Sequence, residues 1–235
     1  MSQASEGLIA NPRSSDIHLI ASVSAAHFVS HFYMLVLPPM LDIVRADYGV
    51  SYTELGLALT VLNGVSAVLQ TPAGFLVDRI DARLTLVAGL LIQALGYAIA
   101  ASFNSYWVLI AMFGLIGLGN TVYHPADYSL LSHRVSAERM SQAYSVHTFS
   151  GMLGSAATPI SILFMHSLFG WRGAFFGAAI LGFVVAAILY LQRDVAPKAA
   201  ASKPHTAADS NATWRLLLSR SILISLLFLD RKSVV

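Results

Sequence analysis

Gly74-Phe75-Leu76-Val77-Asp78-Arg79-Ile80-Asp81-Ala82-Arg83 is a short charged stretch held between two long apolar runs, 54–77 and 84–103. A helix needs about 20 apolar residues to cross the hydrocarbon core of a bilayer, and each run meets that length. The charged stretch then belongs at the membrane surface. Outward from it the pattern repeats: further apolar segments lie at 17–43, 106–132, 141–166 and 172–191, with short gaps between them. Six spans are expected. Another apolar run starts near Trp214 and stops at Leu229, too short to cross.

Composition agrees. The chain is 56% hydrophobic and 11% charged, whereas a soluble domain carries about 25% charged residues. The expected fold is an all-α membrane protein: a six-helix transmembrane bundle followed by the start of a seventh helix. Cysteine is absent, which excludes disulfides, thiolate metal sites and thiol nucleophiles. The net charge of +2 does not point to nucleic acid, because Lys and Arg fall in short loops between apolar spans. The apolar run from Ile17 to Leu41 is too long for a secretory leader, whose core is roughly 7–15 residues.

Charge also orients the chain. With the N-terminus in the cytoplasm, ten Lys and Arg lie inside and only Arg45 and Arg172 outside, Arg231 and Lys232 set aside. That asymmetry places a multi-pass protein in the inner (plasma) membrane. The organisation follows. Residues 1–16 form a cytoplasmic tail and 17–191 the bundle. Residues 192–213 form a flexible inner linker rich in Ala, Lys, Pro and Ser, and 214–229 a truncated seventh helix. Asp230-Arg-Lys-Ser-Val-Val235 sets charge in mid-span and reads like a translated sequencing adapter, so 230–235 is expected to be an artefact. Six spans, a long inner linker and a new span imply a missing second half.

The opening stretch has two readings. Gly74 lets two helices approach closely, and Asp78, Arg79 and Arg83 could form a breakable latch at the cytoplasmic face. The plainer reading is a loop that only sets topology. The pattern resembles the loop 2–3 signature of the major facilitator superfamily, with Gly74, Asp78 and Arg79 matching and Arg83 at a basic position. Asp81 stands where that family usually has Gly. Gly170-Trp171-Arg172 is also typical of the family. The resemblance covers 17–229 and implies half of a two-bundle transporter with a central cavity and alternating access.

Span four carries Asn120-Thr121-Val122-Tyr123-His124-Pro125-Ala126-Asp127 inside an apolar run. Ionisable groups within a membrane are costly and read first as functional. Asn120, His124 and Asp127 are spaced i, i+4, i+7 and share one helical face. Pro125 removes a backbone donor and kinks the helix. A histidine can titrate near neutral pH, so His124 with Asp127 could carry a proton. Alternatively Asp127 is a solvated helix end: about 18 residues precede His124, about 27 Å of helix. Many drug/proton antiporters carry Arg-x-x-x-Gly in this span; here Phe113 holds the Arg position before Gly117. The segment Gly117 to Pro125 instead resembles the fosmidomycin-resistance branch of that superfamily. Ser141-Gln142-Ala143 and Gly151-x-x-Gly154-x-x-x-x-Pro159 do too.

Span one presents Ser24, His27, His31 and Asp42 on one side, counted along a continuous helix. His27 and His31 could hold a metal, bind an anion when protonated, or act as polar glue between helices. His147 in span five and Asn63 in span two are further cavity candidates. The expected function is a secondary transporter, with efflux of a small organic compound as the branch-level implication. Asp127, His124 and Asp42 are the proton carriers. Asn120, His27, His31, Asn63 and His147 line the substrate cavity. Gly74, Asp78, Arg79 and Arg83 form the latch. No cofactor or resident metal is implied. Partners are the lipid bilayer, a small-molecule substrate, protons and the missing half. A histidine-based, metal-dependent membrane enzyme is the alternative. The further paired-His boxes of the di-iron hydroxylases are missing, as is any His-Glu-x-x-His.

Overall fold

The computed structural model describes residues 12–192. The first eleven residues, the expected linker from 193 to 213, the seventh-helix segment 214–229 and residues 230–235 lie outside the described residues.

The described chain is helical throughout. Helix α1 is Pro12–Met34, followed by a 3-10 turn Pro38–Met40 and a short α2, Leu41–Tyr48. Next come α3, Tyr52–Val77, and α4, Ala82–Ser102. Then follow α5, Tyr106–Asn120, α6, Tyr123–Arg134, and α7, Met140–Leu191. Helix ends follow local chemistry. Ser51 and Glu54 close a capping box at the start of α3. Asp81, the residue that replaces the expected glycine, caps α4 by accepting from the Leu84 amide at 2.9 Å.

Among the described residues, five stretches are long and apolar enough to cross a membrane: Asp16–Tyr48, Tyr52–Val77, Ala82–Ser102, Tyr106–Arg134 and Ala137–Leu191. The expected fifth and sixth spans are the two helical parts of α7, joined at a kink. The kink falls at Gly170, whose φ of 70° is left-handed backbone that glycine adopts without strain.

Two breaks shape the interior. The α5–α6 junction lies one turn before Pro125. That proline lacks the N–H that would bond the Thr121 carbonyl, and its ring crowds that carbonyl. The chain tightens there, with the Thr121 amide bonding the Leu118 carbonyl at 3.2 Å, and helix resumes at Tyr123. After Met34, helix α1 also unwinds. The Leu35 amide reaches only the Phe32 carbonyl, and Pro38-Pro39 start a 3-10 turn.

Packing rests on small residues. Helix α1 packs on α7, α4 on α5 and α7, and α5 on α3. At Gly117 a Cβ would lie 2.5 Å from the Leu62 carbonyl oxygen of α3, and at Gly119 2.7 Å from the Gly89 carbonyl oxygen of α4. Only glycine lets α5 sit that close to both. Phe113, at the position compared above with an Arg, is fully buried against Tyr97 and Phe175. It belongs to the core, not to a site.

Candidate functional site

Three helices deliver one buried cluster. Helix α1 supplies His27, α6 supplies Asp127 and α7 supplies His147, all buried, with Asp127 at 0% exposure. Asp127 Oδ2 lies 3.3 Å from His27 Nδ1 and 3.9 Å from His147 Nε2. The two imidazoles stack with centroids 3.7 Å apart. Neither carboxylate oxygen has a hydrogen-bond partner among the described residues, nor does either ring nitrogen of His147. A buried, unpartnered polar group costs about 1–3 kcal/mol, and a charged one more. The cluster's unpartnered oxygens and ring nitrogens are the kind of donors that accept a proton or a cation.

Small residues again fix the geometry. At Gly154 a Cβ would press on the Phe28 backbone, and at Gly151 it would meet His27 Cδ2 and Nε2 at 2.8 Å. Helix α7 can therefore lie directly on α1, which sets His147, one turn earlier, over the His27 ring.

His31 and His124 flank the trio, half-buried. Their rings lie 4.6 and 5.5 Å from His27. His31 Nδ1 contacts Ser155 Oγ at 3.2 Å. Tyr128 continues the series, 6.0 Å from His124 and 5.9 Å from His147. The structure thus brings together five predicted residues: His27, His31, His124, Asp127 and His147.

It separates others. Asp42 does not share a side with His31. The unwinding between Met34 and Leu41 puts it on α2, exposed and hydrogen-bonded to the Tyr52 hydroxyl. Asn63 is exposed and donates to its own helix at Leu59 O, 2.8 Å away. Asn120 faces a neighbouring polar network. It accepts from Ser30 Oγ at 3.1 Å and donates to Ser66 Oγ at 3.0 Å, while Ser66 Oγ donates to the Gly117 carbonyl at 3.0 Å. Buried Gln93 joins it, donating to the Ile116 carbonyl at 3.2 Å and accepting from Tyr123 OH at 2.7 Å. Here the polar groups are satisfied and tie helices together.

At the start of the Gly74–Arg83 stretch, Gly74 faces Pro125 of α6, but a Cβ there would stand 3.9 Å from the Pro125 Cβ, ordinary contact, so the expected close approach does not require glycine. Arg83 donates to the Gln192 carbonyl at the end of α7. Asp78 and Arg79 are exposed and make no ion pair among the described residues. On the other face, Asp47 accepts from Trp171 Nε1 and Arg172 Nη1, both at 3.2 Å, and Arg172 reaches Asn104 at 2.8 Å. The Gly170-Trp171-Arg172 motif thus pins the α7 bend to α2. Nothing in the spacing of Asp47 or Asn104 announces that role.

Apolar helices of spanning length around a buried polar cluster are the build of a multi-pass membrane protein. Comparison with known proteins agrees: residues 23–229 match the Major Facilitator Superfamily. The chain belongs to that superfamily. An uncharacterized transporter of this type from Bacillus subtilis, YfnC, is 22% identical over 94% of this chain and 54% of its own length. The fosmidomycin resistance protein of Escherichia coli is 21% identical over 89% of this chain and 52% of its own. The multidrug efflux protein YfmO of Bacillus subtilis is 25% identical over 83% and 47%. The crystal structure of tetrameric PepTSo2 superposes with a TM-score of 0.62 at 18% identity, covering 94% of this chain and 50% of that one. The last likeness shows the fold alone. The chain spans about half the length of the curated relatives it matches. The family points to a transporter and not to an enzyme.

Proposed function

We propose that the chain is the N-terminal half of a proton-coupled exporter of small organic compounds in the plasma membrane. The buried Asp127 between His27 and His147 carries this reading. It is a carboxylate that holds no hydrogen bond among the described residues yet has two imidazoles within 3.9 Å. In one state the proton rides on Asp127. In the other, the ionised carboxylate is balanced by a protonated His27 or His147. His124 and His31, half-buried at the cluster's edge, relay the proton and contact substrate. Names of relatives in resistance and multidrug efflux support the substrate class.

Topology completes the proposal. Helix α7 has 52 residues in two helical parts that meet at Gly170, together about 78 Å at 1.5 Å per residue, more than twice the roughly 30 Å hydrocarbon core. It crosses twice, turning at Gly170 on the outer face, which gives six spans and a cytoplasmic N-terminus. Asp78 and Arg79 then face the cytoplasm and await partners in the second bundle. Asn63 on exposed α3 looks towards the shared cavity.

The test is full-length protein in proteoliposomes, with a lumenal pH dye reporting proton movement when candidate compounds are added, fosmidomycin first. Asp127→Asn and His147→Gln should abolish compound-driven proton flux while both variants elute as folded protein. Flux unchanged in both would remove the site.

A further inference from the structure

His27, Asp127 and His147 have the chemistry and spacing of a metal site. We propose that they bind one divalent transition-metal cation of the zinc, cobalt or nickel class. The inference uses the donor set invoked for proton coupling and goes beyond it by naming a second cation for that site.

Three observations carry it. The donor atoms, one from each residue, all lie within 4.8 Å of one another. Metal–ligand bonds of about 2.1 Å in tetrahedral geometry place ligand atoms about 3.4 Å apart. The Asp127–His27 edge, 3.3 Å, matches, the Asp127–His147 edge, 3.9 Å, is longer, and an ion would turn the stacked rings so that their in-plane lone pairs converge on it. The donors are also uncommitted: His27 Nδ1, both Asp127 oxygens and both His147 nitrogens have no hydrogen-bond partner among the described residues. Lastly, the set is two imidazoles and one carboxylate. Imidazole nitrogen selects borderline transition metals, whereas magnesium and calcium demand mostly oxygen donors.

The arrangement also revises which histidines are paired. Helical spacing points to His27 with His31, but His31 Nδ1 is engaged by Ser155 at 3.2 Å. The pairing instead runs across helices, from His27 to His147. His124 Nδ1, buried without a partner, stands beside the trio as a further imidazole. Three protein donors leave one position of a tetrahedral ion open. An ion held there ties α1, α6 and α7 together.

The experiment titrates purified full-length protein, stripped with chelator, with cobalt(II) alone and zinc alone. Cobalt should give the visible absorption bands of tetrahedral nitrogen and oxygen ligation at one ion per chain. Zinc should compete it away and raise the melting temperature, while magnesium in large excess should not. His27→Gln, Asp127→Asn and His147→Gln should each weaken zinc binding at least about tenfold. His133→Gln should not, because His133 is exposed on another turn of α6. Absence of cobalt bands in the wild type, or zinc binding unchanged in all three variants, would overturn the proposal. The cobalt spectrum needs no variant, so a variant that misfolds leaves the test intact. Proton flux measured in chelator separates the two readings. Flux that persists in a protein that binds no metal sinks only the metal site. Metal bound by a protein without proton flux sinks only the coupling.

Discussion

Gly151 and Gly154 sit one turn apart on α7, yet alanine at the two positions should do different things. At Gly151 the added methyl meets only the far end of side chains: His27 Cδ2 and Nε2 at 2.8 Å and His31 Cδ2 at 3.0 Å. Ordinary contact requires about 3.4 Å or more, so the His27 ring must retreat by roughly 0.6 Å. An imidazole on a rotatable side chain can do this without moving a helix. Alanine also gains about 1 kcal/mol of helix propensity over glycine. Stability should therefore change by less than about 1 kcal/mol. The cluster, however, loses the 3.3 Å approach of His27 to Asp127. Displacements near 1 Å in reacting groups cost up to about a hundredfold in rate, so proton-coupled flux should fall by about tenfold or more. At Gly154 the methyl presses on the Phe28 carbonyl oxygen, with the carbonyl carbon at 3.1 Å and Cα at 3.2 Å. Backbone cannot rotate away, and α7 must lift off α1. Overpacking of this kind costs about 1–3 kcal/mol, and a drop of a few degrees in melting temperature should follow. Thermal melts of both purified full-length variants and flux in proteoliposomes read the contrast. If Gly151→Ala transports like wild type, or melts as low as Gly154→Ala, the His27 geometry does not control function in the way argued.

Phe113→Arg should leave no monodisperse protein on size exclusion, because position 113 is fully buried among Tyr97 and Phe175 and an unpaired buried charge costs several kcal/mol. Tyr97→Phe should lower stability by about 1 kcal/mol by removing a buried hydrogen bond to the Tyr33 carbonyl, read by thermal melting. Asp47→Asn should cost no more than about 1 kcal/mol, since its pair with Arg172 is largely exposed. Asp127→Asn should make any residual compound flux insensitive to an imposed pH gradient, and retained sensitivity in that variant would count against Asp127 as the coupling group.

Several elements were legible as residue patterns. Apolar runs of spanning length set helix positions, since a backbone in lipid must satisfy its own hydrogen bonds. Pro125 foretold the break in span four, and the observed junction at Thr121 lies four residues earlier, where the proline ring crowds the carbonyl. Asp127 was suspect because an ionisable group inside an apolar run is costly. Other features were not legible. Asp42 was placed beside His31 by counting turns along a continuous helix, and the unwound segment after Met34 defeats that count. The partner of His147 was not legible either, because nothing local distinguishes a histidine that faces lipid, a neighbour or a buried carboxylate.

Residue types and their periodicity by themselves determined the membrane setting, the helical class, the family signature and the suspicion attached to the His124–Asp127 face. These are properties of one helix at a time, fixed by hydrophobic length and the 3.6-residue turn. Only the packed structure decided that Asp127 meets His27 and His147 more closely than His124 of its own helix. That meeting joins residues 27, 127 and 147. It depends on how nearly α1 and α7 approach, which Gly151 and Gly154 permit, a distance no single helix encodes.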